Sequence, residues 1–120
     1  MASDLELVQE KIREFSNLRD WSQFHTAKNL ILAVSAEIGE LAEVLLWKSD
    51  TEVENYLKTS EGINKISEEI ADVAIYLLRL CQQLNIDFID ILNKKMEINS
   101  TKYPVDKSKG NAVKYTELDN

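Results

Sequence analysis

The sequence predicts an all-α fold. Three glycines and one proline are all that interrupt 120 residues. Apolar residues recur at helical spacing through long windows, and the Gly/Pro/Asn clusters that punctuate short strands are missing. A helical chain of this length can bury a core without covalent staples, so one domain is expected over residues 1–104, followed by a polar, irregular tail at 105–120.

Each helix has its own pattern. Leu5, Val8, Ile12 and Phe15 share one face and predict a first amphipathic helix over 4–18. The segment Leu18 to His25, with Arg19, Asp20, Trp21, Phe24 and His25, reads as a loop with exposed rings, and Thr26 can cap the next helix. A second helix is expected from Ala27 to Trp47, with Leu30, Val34, Ile38, Leu41 and Leu45 as its buried stripe. Thr51 with Glu54 resembles a capping box that opens a short helix toward Leu57. The most regular stripe, Ile63, Ile66, Ile70, Val73, Leu77, Cys81 and Leu84, predicts a helix over 62–84. Asp87 can cap a fifth helix burying Phe88, Ile91, Leu92 and Met96. Beyond Ser100 the periodicity is lost, and the tail is expected to gain order only from a neighbouring subunit.

Charge narrows the function. A net charge of -7 and a pI near 4.7 argue against nucleic acid as a partner, because such binders neutralise phosphates with clustered Lys and Arg. An acidic chain can still hold a polyphosphate through a metal ion. No apolar run reaches membrane-spanning length and no leader pattern opens the chain, so a cytoplasmic protein without membrane contact is expected. Cys81 is the only cysteine and lies in an apolar stripe, which suits a packed thiol.

The chemistry lies in a pattern that two helices share. Glu37 and Glu40 on one, and Glu69 and Asp72 on the other, are carboxylates three residues apart. That spacing advances a helix by about 300° and about 4.5 Å, so each pair projects from one face. If the two helices pack as antiparallel neighbours, the pairs can meet. Four unpaired carboxylates would then repel, and partial burial sharpens the cost. A divalent cation removes it. An all-oxygen ligand set without nearby Cys or His suits Mg²⁺, with Mn²⁺ as the alternative. The competing reading is a solvated acidic helix face, which the neighbouring Glu43 and Glu68 themselves illustrate. Trp47, two turns beyond Glu40 on the predicted helix, and Tyr76, one turn beyond Asp72, offer rings for stacking on a nucleobase or for ordinary packing. Lys95 and Lys102 could reach phosphate oxygens or simply face water.

These residues stand in an ordered set: Arg19-Asp20-Trp21 with Gln23-Phe24-His25, Glu37-Ile38-Gly39-Glu40-Leu41-Ala42-Glu43 leading to Trp47-Lys48, Glu68-Glu69-Ile70-Ala71-Asp72 with Tyr76, Lys95-Met96-Glu97-Ile98-Asn99, and Lys102-Tyr103-Pro104. In this order they resemble the MazG-type all-α nucleoside triphosphate pyrophosphatases, and most of all the dCTP pyrophosphatase branch. The match runs from Arg19 to Pro104, with an echo at Lys114 to Leu118. The resemblance implies a helical bundle of four to five helices whose core is completed by oligomerisation, as a dimer or tetramer. It implies hydrolysis of a nucleoside triphosphate to the monophosphate and pyrophosphate, in the service of nucleotide-pool housekeeping. By the same resemblance Glu37, Glu40, Glu69 and Asp72 hold Mg²⁺ and carry catalysis. Trp21 and Trp47 flank the base, His25 and Asn99 line its pocket, and Tyr76 and Lys95 look toward the phosphates. Lys28 and Ser100-Thr101-Lys102 depart from that branch, which carries more Arg there, so the preferred base stays open.

The expected mechanism is in-line attack of a water on a metal-bound triphosphate, with a carboxylate of the cluster or a neighbour accepting the proton. His25 suits that role by its chemistry, but its position in the family points to base recognition. The alternative function is a non-catalytic acidic helical module that binds a basic partner. A di-iron carboxylate bundle needs a Glu-x-x-His motif on each of two helices, and His25 is the only histidine.

Overall fold

The computed structural model describes residues 1–118. Its elements are α1 (Asp4–Leu18), α2 (Ala27–Leu45), α3 (Asp50–Tyr56), α4 (Ser60–Leu84), α5 (Phe88–Lys102), α6 (Val105–Ser108) and a 3₁₀ turn, Tyr115–Glu117. No strand occurs among the described residues, so the expected all-α class holds. No helix among them is long and apolar enough to cross a membrane. The chain divides into two compact units, Met1–Asn85 and Ile86–Asn120.

In the first unit α4 is the hub: α2 packs along it most extensively, and α1 and α3 also lie against it. Every helix of the unit starts on a side-chain cap, which satisfies amide groups that the helix itself leaves free. Ser3 accepts from Glu6 N, Thr26 from Asn29 N and Thr59 from Gly62 N. Asn85, in left-handed backbone (φ 52°), closes α4. The capping box expected at Thr51 and Glu54 is instead built by Ser49 and Glu52, so α3 starts earlier than the spacing suggested. The two candidate boxes overlap by two residues, and Ser49 prevails because α2 has already ended at Leu45.

Burial differs from the predicted stripes. Leu30, Ile12, Leu78 and Cys81 are the buried apolar residues among those described. On α4 the protected positions include Gly62, Glu69 and Arg79, while Ile63, Ile70, Leu77 and Leu84 of the expected stripe are 49, 53, 38 and 47% exposed. On α2, Ile38 is likewise exposed. The periodicity identified helices correctly but counted as core several residues that this single chain leaves uncovered.

The second unit is formed by α5, α6 and the 3₁₀ turn. Asp87 caps α5 by accepting from Asp90 N, as expected, and the helix continues through Lys102. Tyr115 of the tail packs edge-on against Tyr103 and lies beneath the Lys102 ammonium, 4.5 Å from the ring centre. The tail expected to be irregular therefore contains two short helical segments over its described part, while residues 119 and 120 lie outside the described residues.

Candidate functional site

The two acidic pairs meet. Carboxylate oxygens from Glu37 and Glu40 on α2 and from Glu69 and Asp72 on α4 all lie within 4.8 Å of one another. Packing of α2 along α4 makes this possible, and the three-residue spacing gives each helix two ligands on the shared face. Glu69 is buried and Glu37 half-buried, and one oxygen of each, Oε2, is buried without a hydrogen-bond partner among the described residues. Such orphaned acceptors are costly in a folded chain and call for a cation or a donor. Lys65, one turn before Glu69, supplies part of the answer: its ammonium lies 3.2 Å from Glu69 Oε1. It forms no ion pair with Glu37, Glu40 or Asp72 and leaves Glu69 Oε2 without a hydrogen bond among the described residues.

The electrostatics agree. Partial burial, a hydrogen bond shared with Glu40, and the charges of Glu40, Asp72 and Glu69 hold the Glu37 carboxyl above its usual range. A divalent ion would relieve the same crowding of negative charge. All-carboxylate donors at this mutual distance fit a hard, oxygen-preferring ion. Glu43 and Glu68 are exposed and stand outside the cluster.

Beside the cluster opens a cavity of about 500 Å³ within the first unit. Asp72 belongs to both. The walls come from α1 (Val8, Ile12, Phe15), from the 19–26 loop (Trp21, His25) and from α4 (Ile75, Tyr76, Arg79). This accounts for two apparent failures of the α1 stripe: Val8 and Phe15, expected in the core, are 43 and 49% exposed because they line an open cavity.

The loop is ordered by its own bonds. Trp21 N donates to Ser16 O, and Phe24 N and His25 N both donate to Trp21 O. Asp20 takes a left-handed conformation (φ 53°) that its backbone and carboxylate brace by accepting from Gln23 Nε2. Phe15, Trp21 and His25 then stack edge-to-face in sequence, with ring centres 5.6 and 6.1 Å apart.

One residue of this wall was missed by reading the sequence. Arg79 is only 3% exposed, yet no carboxylate among the described residues pairs with it; it donates to His25 Nδ1, Gln82 Oε1 and Ser22 Oγ. The available signal was an arginine inside the apolar run Tyr76 to Leu80, seven residues after Asp72 and hence about 20° from it around the helix.

Of the other candidates, Trp47 is not among the residues that line the cavity. Trp47 does not continue α2; it stands two residues past the helix end in left-handed backbone (φ 67°) and is 91% exposed. The helical angle that relates it to Glu40 in the sequence therefore does not apply. Lys95 is exposed and Asn99 half-buried on α5, in the second unit. Cys81 is buried and free, and burial pushes its thiol pKa up, as a packed thiol requires.

The chain matches the MazG-like family over residues 32–118. It is 42% identical over 114 residues to dCTP pyrophosphatase 1 of Mus musculus, and 39% identical over the same length to dCTP pyrophosphatase 1 of Homo sapiens. In each case the alignment covers 95% of this chain and 67% of the relative. Its fold superposes on the crystal structure of a pyrophosphatase from Archaeoglobus fulgidus with a TM-score of 0.79 and 40% identity, covering 87% of this chain and 95% of that one.

Proposed function

Because the chain belongs to the MazG-like family, we propose that it is a nucleoside triphosphate pyrophosphatase that releases a nucleoside monophosphate and pyrophosphate, with dCTP or a related deoxynucleotide as substrate. One observation carries this reading: four carboxylates converge at the rim of an aromatic-lined cavity, with Asp72 common to both. A nucleotide has the matching polarity, a flat apolar base at one end and a polyanion needing a cation at the other.

In this reading Glu37, Glu40, Glu69 and Asp72 hold Mg²⁺. The orphaned oxygens of Glu37 and Glu69 support the assignment. When bound, the ion supplies neutralisation of phosphate charge and a polarised water. The chain's own residues do the rest. Trp21 and His25 hold the base against the wall formed by Phe15 and Tyr76, whose partly exposed rings a stacked base would cover. The family resemblance assigns Trp47, Lys95 and Asn99 to the substrate as well, the exposed indole of Trp47 for stacking and Lys95 for phosphate charge. A carboxylate of the cluster not saturated by metal takes the proton of the attacking water. The protein works as a homo-oligomer in the cytoplasm and removes unwanted nucleotides from the pool.

A panel assay tests the reading. Each common ribo- and deoxynucleoside triphosphate is incubated with protein, with and without Mg²⁺, and pyrophosphate and orthophosphate are measured separately. Pyrophosphate release that requires metal, and that falls by at least about two orders of magnitude in Glu69→Gln, is the expected result. Absence of turnover for every nucleotide, together with a thermal midpoint that Mg²⁺ does not move, would favour a non-catalytic acidic module.

A further inference from the structure

A buried arginine without a carboxylate is expensive, so its partners indicate what its placement achieves. Arg79 Nε lies 2.9 Å from His25 Nδ1, Arg79 Nη1 lies 2.9 Å from Gln82 Oε1, and Nη2 lies 3.0 Å from Ser22 Oγ. Arginine can only donate. His25 Nδ1 must therefore accept, and cannot carry a proton. The neutral ring then bears its one proton on Nε2, since the hydrogen bond at one imidazole nitrogen sets the state of the other. Imidazolium, which donates from both nitrogens, is incompatible with the bond, and burial with the adjacent Arg79 charge also lowers the His25 pKa.

The surroundings hold this arrangement rigid. Gln82 Nε2 donates to Gln9 O on α1 and Gln83 Nε2 to His25 O, while Ser22 Oγ donates to Asn17 Oδ1. Helix α4 thus fixes both the backbone and the ring of His25. His25 Nε2 has no hydrogen-bond partner among the described residues, and the ring lines the cavity.

We propose that Arg79 is a positioning residue for base choice: through His25 Nδ1 it fixes the ring as an Nε2–H donor aimed at an acceptor on the base, and so favours cytosine over uracil and thymine. Cytosine offers a bare N3, whereas uracil and thymine carry N3–H, which would meet the fixed donor head-on. The inference rests on the pyrophosphatase reading for its substrate, but the state of the ring can be read without any nucleotide.

His25 is the only histidine, so untagged protein labelled with ¹⁵N-histidine gives one imidazole spectrum. At pH 7 the wild type should show a protonated Nε2 and a bare, hydrogen-bonded Nδ1. Arg79→Met, which keeps length without donors, should show mixed tautomers. Its preference for dCTP over dUTP, as the ratio of kcat/KM values, should narrow by roughly three- to tenfold, the worth of one hydrogen bond. The loss should fall mainly on KM for dCTP. Arg79→Lys keeps the charge without the Nε–H, and should narrow the preference in the same way. Should Arg79→Met fail to fold, the wild-type spectrum and the Lys variant carry the test. An Nδ1–H or imidazolium ring in the wild type overturns the proposal. So does a wild type that prefers dUTP, an unaltered base ratio in the variants, or full rescue by Lys with an equal loss for all nucleotides in Met, which would place the Arg79 charge on the phosphates. Failure of the pyrophosphatase reading itself would be visible separately, as a wild type that turns over no nucleotide.

Discussion

At the level of single residues, His25 couples the stability of the fold to pH. Burial and the neighbouring Arg79 guanidinium lower its pKa from the usual 6.5. As pH falls below about 6.5 the unfolded chain takes up a proton that the folded chain resists, so unfolding is favoured progressively. The contribution is fully present above pH 6.5 and is lost as pH falls toward and through the lowered folded value. Glu52, whose pKa its bonds to Ser49 lower, shifts stability in the same direction and Glu37, whose pKa is raised, in the opposite one, so the histidine has to be isolated by difference. His25→Gln cannot titrate, yet its amide oxygen can still accept from Arg79. Urea unfolding of both proteins at steps from about pH 7.5 to 5 should show the wild type losing stability relative to the variant as the pH drops. Parallel curves would mean that the ring is not held neutral. Arg79 also shows a limit of reading one sequence: an arginine in Tyr76 to Leu80 announces itself by composition, but nothing in the spacing tells that its partners come from a loop 54 and 57 residues away. The acidic pairs were legible because both members of each lie on one helix, where three residues have only one geometry.

At the level of elements, the α3–α4 junction is a tight turn, and Gly62 is its reason. A Cβ at Gly62 would stand 2.0 Å from Tyr56 O and 2.8 Å from its carbonyl carbon, with Thr59 Oγ1 at 3.1 Å. Two of these neighbours are backbone, so no side-chain rotation relieves the clash, and α3 would have to move off α4. Gly62→Ala is expected to destabilise by about 1–3 kcal/mol, the usual range for overpacking, despite the better helix propensity of alanine. Thermal or urea denaturation checks this, and a variant as stable as the wild type would show that α3 is only loosely docked. The four long helices were legible from apolar periodicity, while boundaries were settled by caps, and the short segments after Pro104 carried no period to read. Ser49 with Glu52 and Thr51 with Glu54 are equally good boxes on paper, and only the end of α2 at Leu45 selects the first. That end also moves Trp47 from a helix face to an exposed left-handed corner, a change that sequence spacing had no means to detect. The cavity was hidden for a related reason: Val8 and Phe15 look like core by period, and whether an apolar face meets a helix or a void depends on the tertiary arrangement.

At the level of the whole molecule, the uncovered stripe on α4 argues for assembly, the part of the proposed function that the single chain leaves most visibly incomplete. Ile63, Ile70, Leu77 and Leu84 recur every seven residues, drifting only about 20° per step, so they form one nearly straight apolar seam. Ile31 and Ile38 of α2 show the same interval and are also exposed. Isolated exposed apolar residues are ordinary, but a seam along a helix of 25 residues is the pattern that packs against another helix. Burying one such side chain fully contributes roughly 1.5–3 kcal/mol, and the four on α4 together would be a substantial part of the stability of a small domain. Sedimentation of the purified protein should therefore give a multiple of 13.8 kDa at micromolar concentration. Ile63→Glu, placed on the seam but away from the carboxylate cluster, should shift the mass toward 13.8 kDa and lower the thermal midpoint, with a midpoint that rises with concentration in the wild type only. A wild type that sediments as a monomer, or a variant that assembles as well as the wild type, would show that the seam is not the assembly surface.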